Sequence, residues 1–88
     1  MEELKNLEEK EIFKDKDFIS AVKYVIKSNN ASTAAIQRKF MWGYAKAARY
    51  LDLMQMFGYV KSAGAGLSRK VCVSLDVFKK DAGSNFDD

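Results

Sequence analysis

The chain has 88 residues, a formal net charge of +3 and 48% hydrophobic residues, which is enough apolar material for one small domain. It contains no histidine and one cysteine, Cys72. That composition excludes an internal disulfide, a zinc site built from the usual ligands, and every Ser-His or Cys-His catalytic pair. No apolar run is long enough to span a membrane or to act as a signal peptide, so the sequence predicts a soluble, intracellular domain without membrane contact.

Charge is unevenly distributed along the chain. Residues 1–17 contain seven acids and four bases, residues 18–75 contain nine bases and one acid, Asp52, and residues 76–88 contain two bases and four acids. A basic centre between acidic ends is typical of proteins that bind nucleic acid. A solvated basic surface has the same composition and is the alternative.

The N-terminal part of the chain predicts a tail followed by a helix. Residues 1–16 have few apolar anchors, and we expect a flexible acidic segment there. The first helix is predicted to begin at Asp17, because a carboxylate suits both an N-cap and the positive end of a helix. Phe18, Val22 and Val25 follow with helical spacing and form its buried stripe.

Residues 32–60 have the pattern of a helix-turn-helix. Ser32 can cap a short helix, and Gly43 permits the turn that follows it. A longer helix over residues 43–57 is closed by Gly58 in the left-handed conformation. In DNA-binding domains of this kind, the start of the second helix contacts base edges in the major groove.

A hairpin is predicted after the third helix. A strand begins at Tyr59, the glycine-rich residues 62–68 form a loop, and residues 70–75 alternate apolar and polar side chains. Such a loop, with Arg69 at its return, is the wing of a winged helix. Residues 76–88 lose periodicity and predict a disordered tail. The predicted fold is therefore mainly α (α+β): a winged helix-turn-helix over residues 17–75, with three helices and a C-terminal β-hairpin wing.

The outer face of the third helix contains the candidate contacts to bases. Arg49 can donate two hydrogen bonds to guanine O6 and N7, and Lys46 can bind a phosphate or a second guanine. Asp52 can accept from a cytosine amino group or pair with Arg49, and we expect the pairing. The candidate contacts to the DNA backbone are Arg38, Lys39, Tyr44, Lys61, Arg69 and Lys70.

Other classes of function have weaker support. The glycines at 64 and 66 precede a strand and lack the Lys-Ser/Thr of a P-loop, so no nucleotide is expected. We expect no cofactor and no metal, and we expect the chain not to be an enzyme. The alternative to DNA binding is a protein-interaction module, for which Leu53, Met56 and Phe57 offer an apolar patch.

Residues 17–75 resemble the gamma domain at the C-terminus of the bacterial DNA translocases FtsK and SpoIIIE. The resemblance rests on Ser32, Ile36, Gln37, Arg38, Gly43, Tyr44, Ala47, Ala48, Arg49, Leu51, Met54, Gly58 and Arg69. It implies a domain that binds double-stranded DNA at short G-rich sequences, orients a translocase on the chromosome and contacts a Xer-type recombinase. It also implies a cytoplasmic, nucleoid-associated domain whose parent has an ATP-driven motor and can be membrane-anchored.

The resemblance also implies roles for single residues. The family's base-reading arginine corresponds to Arg49 and its acidic partner to Asp52. Its usual asparagine and arginine correspond to Ala45 and Lys46, and the loss of the asparagine removes a bidentate contact of about 1–3 kcal/mol in base discrimination. The hydrophobic Met41 and Trp42 stand in a turn that is more basic in the family. The fold and the DNA affinity are thus implied more strongly than the base sequence that is preferred.

Overall fold

The computed structural model describes residues 11–64 and 69–86, which contain four complete α-helices and a two-stranded antiparallel sheet. The helices are α1 (Lys16–Ser28), α2 (Thr33–Phe40), α3 (Tyr44–Met56) and α4 (Leu75–Ala82), and the strands are β1 (Val60–Lys61) and β2 (Lys70–Val71). A single 3-10 turn, Gly83–Asn85, follows α4. The predicted winged helix-turn-helix of the α+β class is confirmed, with one more helix than expected.

The first helix begins one residue before Asp17. Asp15 is its N-cap: the Asp15 carboxylate accepts from the backbone N–H of Asp17 at 2.9 Å and of Phe18 at 3.3 Å. The prediction of Asp17 as the cap is wrong, because Asp15 has the extended backbone that aims its side chain at these free N–H groups. Phe13 packs against the core, so the flexible segment predicted over residues 1–16 is wrong for residues 11–16; residues 1–10 lie outside the described part of the chain.

The helix-turn-helix is closed by a residue that the sequence did not indicate. Ser32 caps α2 as predicted, and its hydroxyl accepts from the backbone N–H of Ala35 at 3.3 Å. Between α2 and α3 the left-handed residue is Met41, with a φ of 59°. Gly43 is instead extended, with a φ of −70°, and a side chain at this position would meet open space. The turn therefore depends on Met41 rather than on the freedom of Gly43. Gly58, with a φ of 81°, closes α3 as predicted.

The hairpin is short and is joined to the start of the helix-turn-helix. Val60 pairs with Val71 and Lys61 pairs with Lys70. An antiparallel bridge between Ala31 and Arg69 adds a third segment beside β2. The second strand ends at Val71, earlier than predicted, because Ser74 caps α4. The part of the predicted wing loop at 65–68 lies outside the described residues.

The last helix belongs to the core. Phe78 is fully buried, and α4 packs against α1. The Tyr59 hydroxyl donates to the Asp81 carboxylate at 2.5 Å and ties α4 to the start of the hairpin. The predicted disordered tail is therefore wrong for residues 76–86, while residues 87–88 lie outside the described part. Phe78 and Ala82, one turn apart, are the two buried side chains that hold α4 in place.

One continuous apolar core lies between the four helices and the hairpin. Its largest fully buried side chains are Phe18, Phe78, Ile36, Leu51, Met54, Val22, Val25 and Val60. Within residues 11–64 and 69–86, no helix is long and apolar enough to cross a membrane.

Candidate nucleic-acid interface

The third helix has one buried face and one open face. Ala47, Leu51 and Met54 are fully buried, and the small Ala47 lets α3 cross α2 closely. The predicted outer stripe is found as expected, with all four of its members exposed: Ala45, Arg49, Asp52 and Met56. Together with Ala48 and Leu53 these side chains line a shallow, open depression along α3.

Asp52 does not pair with Arg49. Its Oδ1 accepts from Nη2 of Arg69 at 2.8 Å, and Gln55 Oε1 accepts from Nε of the same guanidinium at 2.9 Å. The backbone bridge to Ala31 holds Arg69 beside α3, which brings its planar fork within reach of both acceptors. The predicted Arg49–Asp52 pair is wrong for this reason.

Arg69 consequently has a structural contact of its own. Its side chain is 26% exposed, and its guanidinium ties the return of the hairpin to the middle of α3. A guanidinium has five N–H donors, and the two used here leave others available. Its predicted contact to the DNA backbone stays a prediction.

Arg49 stands alone on the outer face. It is exposed, and within the described residues it makes no salt bridge and no side-chain hydrogen bond. The methyl groups of Ala45 and Ala48, its neighbours on this face, leave the space around its guanidinium open. The side chain is thus accessible to a flat partner such as a base edge.

Lys46 lies at the edge of α3 that faces α1. Its Nζ is 2.8 Å from Oδ2 of Asp17 and 4.6 Å from the centre of the Trp42 ring. One turn further along α3, the Tyr50 hydroxyl donates to Oδ2 of Asp15 at 2.7 Å. Burial and the Asp15 carboxylate raise the pKa of Tyr50 above its usual range. Two carboxylates at the start of α1 are therefore bonded to the first two turns of α3.

The remaining candidates flank α3. Arg38 and Lys39 occupy the last turn of α2 and are exposed. Tyr44, the first residue of α3, is 67% exposed. Lys61 and Lys70 stand directly opposite each other in the hairpin, on the face that does not carry the buried Val60.

The opposed lysines are electrostatically unfavourable for the isolated domain. Like charges directly opposite each other destabilise a β-ladder. Within the described part of the chain, neither Lys61 nor Lys70 has a carboxylate within 4.0 Å. The base of the hairpin therefore concentrates positive charge that an anionic partner would relieve.

Several contacts at this surface had no signal in the sequence. Asp17 and Lys46 are 29 residues apart, and Asp52 and Arg69 are 17 residues apart, so neither pair follows from local spacing. The alternative apolar patch is smaller than predicted, because the Phe57 ring stacks on the Phe13 ring at a centroid distance of 5.4 Å. Among the residues that the structure describes, the most exposed large apolar side chain is instead Met41, at the turn.

A surface helix preceded by a short helix and followed by a β-hairpin against the same core defines the class of winged helix-turn-helix domains. Residues 13–74 match the family model of the Ftsk gamma domain, and the chain belongs to that family. The predicted resemblance is confirmed.

Curated relatives agree with this membership. The chain is 37% identical to the DNA translocase SftA of Bacillus subtilis over 60 residues, which is 68% of this chain and 6% of that protein. It is 47% identical to the DNA translocase FtsK of Pseudomonas syringae pv. tomato over 51 residues, 58% of this chain and 6% of that protein. With FtsK of Mycobacterium tuberculosis (strain H37Rv) the identity is 41% over 59 residues, 67% of this chain and 7% of the relative. The matched part of the chain thus spans less than a tenth of these relatives' length.

Proposed function

We propose that this domain binds double-stranded DNA, with α3 in the major groove and the hairpin against the sugar–phosphate backbone, and that it prefers G-rich sequences. The supporting observation is the exposed, unpaired Arg49 in the middle of the outer face of α3. A planar fork with no partner in the described residues is suited to donate two hydrogen bonds to guanine O6 and N7. Lys46 reads a second guanine or binds a phosphate.

The cations on either side of α3 complete the interface. Arg38 and Lys39 precede α3 in the chain, and Lys61 and Lys70 follow it. These side chains, with Tyr44 and the free donors of Arg69, would hold phosphates and set the orientation of α3 on the duplex. Binding that depends on such contacts weakens steeply as salt rises.

The biological role that we propose follows from the family. The relatives are named DNA translocases, and a domain that recognises a directional DNA sequence would orient such a translocase on the chromosome. We also propose contact with a Xer-type recombinase, as the family resemblance implies. In this role the domain is non-catalytic and acts on DNA inside the cell.

The proposal is tested with two variants and two duplexes, one G-rich and one of random sequence. Arg49→Ala should reduce the preference for the G-rich duplex by about 5- to 150-fold, which corresponds to about 1–3 kcal/mol. Lys39→Ala should weaken binding to both duplexes alike. It should also make the salt slope, which is the slope of log affinity against log salt concentration, shallower by about one. Lys80→Ala is the matched control for charge. It removes the same charge from α4, a helix that packs against α1 and contributes no residue to the proposed interface. It should change the preference for the G-rich duplex less than Arg49→Ala does, and the salt slope less than Lys39→Ala does.

Two outcomes would contradict the proposal. If the wild-type domain binds no duplex at low salt, the protein-interaction alternative is favoured, with Leu53 and Met56 as its remaining apolar contacts. If Arg49→Ala and Lys39→Ala weaken binding to every duplex alike, the division between base-reading and phosphate-binding residues is wrong. Selection of duplexes from a random pool would then show whether the domain prefers any sequence.

A further inference from the structure

Lys46 is already bound to an anion in the free domain. Its ammonium lies 2.8 Å from the Asp17 carboxylate and 4.6 Å from the centre of the Trp42 ring. The position of Asp17 is fixed by the fold, since its backbone N–H donates to the capping carboxylate of Asp15 at 2.9 Å. Both side chains remain open to solvent, with 43% of Lys46 and 52% of Asp17 exposed. A DNA phosphate can therefore reach this pair.

The pair contributes little to stability. A single ion pair between exposed side chains gains little in water, because the solvent screens it and two flexible side chains must be ordered. Asp17 is also not the cap of α1, since Asp15 has that role. A carboxylate in the first turn also interacts favourably with the helix dipole, but this small effect does not require the contact with Lys46.

We propose that Asp17 is a specificity-determining residue of the DNA interface, because its carboxylate competes with DNA phosphates for the Lys46 ammonium; this inference rests on the proposed function. A phosphate that approaches Lys46 must displace Asp17 or stand beside it, so it exchanges one anionic partner for another or meets a like charge. Non-specific binding to the DNA backbone therefore gains little free energy from Lys46.

A base edge is affected differently. Guanine O6 and N7 are neutral acceptors, and an ammonium has three N–H donors. Lys46 can thus donate to a guanine while it keeps its bond to Asp17. Asp17 accordingly weakens phosphate contact more than base contact and raises the ratio of specific to non-specific affinity.

The test compares Asp17→Asn with Asp76→Asn. Both variants remove one carboxylate from the first turn of a helix, α1 or α4, and both change the net charge equally. Asp17→Asn should raise affinity for a random duplex by roughly three- to tenfold at low salt and steepen the salt slope by about one. Affinity for the G-rich duplex should rise less, so the specificity ratio falls. Asp76→Asn should leave that ratio unchanged.

A second variant ties the effect to the proposed partner. In a Lys46→Gln background, Asp17→Asn should no longer raise affinity for the random duplex, because the ammonium that it releases is absent. Thermal melting of each variant shows that the fold is retained. Equal effects of Asp17→Asn and Asp76→Asn, or the same gain with and without Lys46, would overturn the inference while wild-type DNA binding stands. Failure of the wild-type domain to bind either duplex would overturn the proposed function and this inference with it.

Discussion

The two ends of α3 are held in different ways. The N-terminal end has no side-chain cap, since Gly43 offers none, and its first residue, Tyr44, is largely exposed. Lys46 adds one point contact to Asp17 at 2.8 Å. Apart from the small buried side chain of Ala47, the first turn of α3 is held by surface contacts that water or a ligand can exchange.

The C-terminal end of α3 is built into the core. Gly58 closes the helix, and the Phe57 ring stacks on Phe13 at 5.4 Å. Just before this point, Asp52 and Gln55 accept two hydrogen bonds from the guanidinium of Arg69. An arginine fork loses less conformational freedom per hydrogen bond than a lysine. The comparison indicates that α3 is anchored at the end far from the proposed groove and left available at the end that would enter it.

The largest expected effect tests the aromatic cluster that packs against the C-terminal end of α3, in which Phe13 contacts both Phe57 and Phe78. The fully buried Phe78 packs edge-on against Tyr59 at a centroid distance of 5.6 Å and lies 6.3 Å from Phe13. Phe78→Ala should lower the free energy of unfolding by about 3–5 kcal/mol, because it removes an aromatic ring and leaves a cavity. Urea denaturation measures this loss. Val77→Ala, on the exposed side of the same helix, should cost far less, and equal losses would show that α4 is not part of the core.

The next effect tests the contact between α1 and the N-terminal half of α3. Tyr50→Phe removes the hydrogen bond to Asp15 and should cost about 1–2 kcal/mol at neutral pH, since the acceptor is a carboxylate. Tyr44→Phe is the matched control and should cost almost nothing, because Tyr44 is exposed. Urea denaturation of both variants at pH 7 gives the comparison.

The same variant makes a prediction about pH. Burial and Asp15 raise the pKa of Tyr50 above that of a tyrosine in the unfolded chain, which is about 10. The stability contributed by the neutral hydroxyl is therefore fully present below pH ~10 and is lost as the pH rises further. Wild type should lose more stability than Tyr50→Phe between pH 9 and pH 11. Parallel losses in the two proteins would contradict this assignment.

A smaller effect tests the contact between the hairpin and α3. In a double-mutant cycle of Asp52→Asn and Arg69→Gln, the coupling free energy should be about 0.5–1 kcal/mol, because Asp52 is 69% exposed but the Arg69 side chain is only 26% exposed and is also held by Gln55. The exposed pair of Glu11 and Lys14, at 3.8 Å, is the control and should show coupling near zero. If both cycles gave the same value, Arg69 would not fix the hairpin on α3.

Local signals in the sequence predicted much of this arrangement. The cap at Ser32, the closure at Gly58 and the exposed position of Arg49 all follow from residues within one or two helical turns. The short α4 was missed because its buried side chains, Phe78 and Ala82, are too few to establish a helical period.

The interactions that define the candidate interface required the fold. The sequence places Asp15 and Asp17 in an acidic end, separate from the basic centre. In the fold both residues lie beside α3, where Asp15 accepts from Tyr50 and Asp17 accepts from Lys46. Periodicity reports which face of a helix is buried and gives no information about which distant side chain meets it.

The smallest effect tests the open end of α3 directly. Gly43 is extended and faces open space, so Gly43→Ser and Gly43→Asp can each add the missing N-cap. Each should stabilise the domain by a few tenths of a kcal/mol, measured by thermal or urea denaturation. Their effects on DNA should differ: the serine is neutral, whereas the carboxylate would meet phosphates at the end of the helix that enters the groove. We expect Gly43→Asp to weaken duplex binding relative to Gly43→Ser, most clearly at low salt. Equal affinities for DNA would place the start of α3 away from the duplex, and the difference between its two ends would then need another explanation.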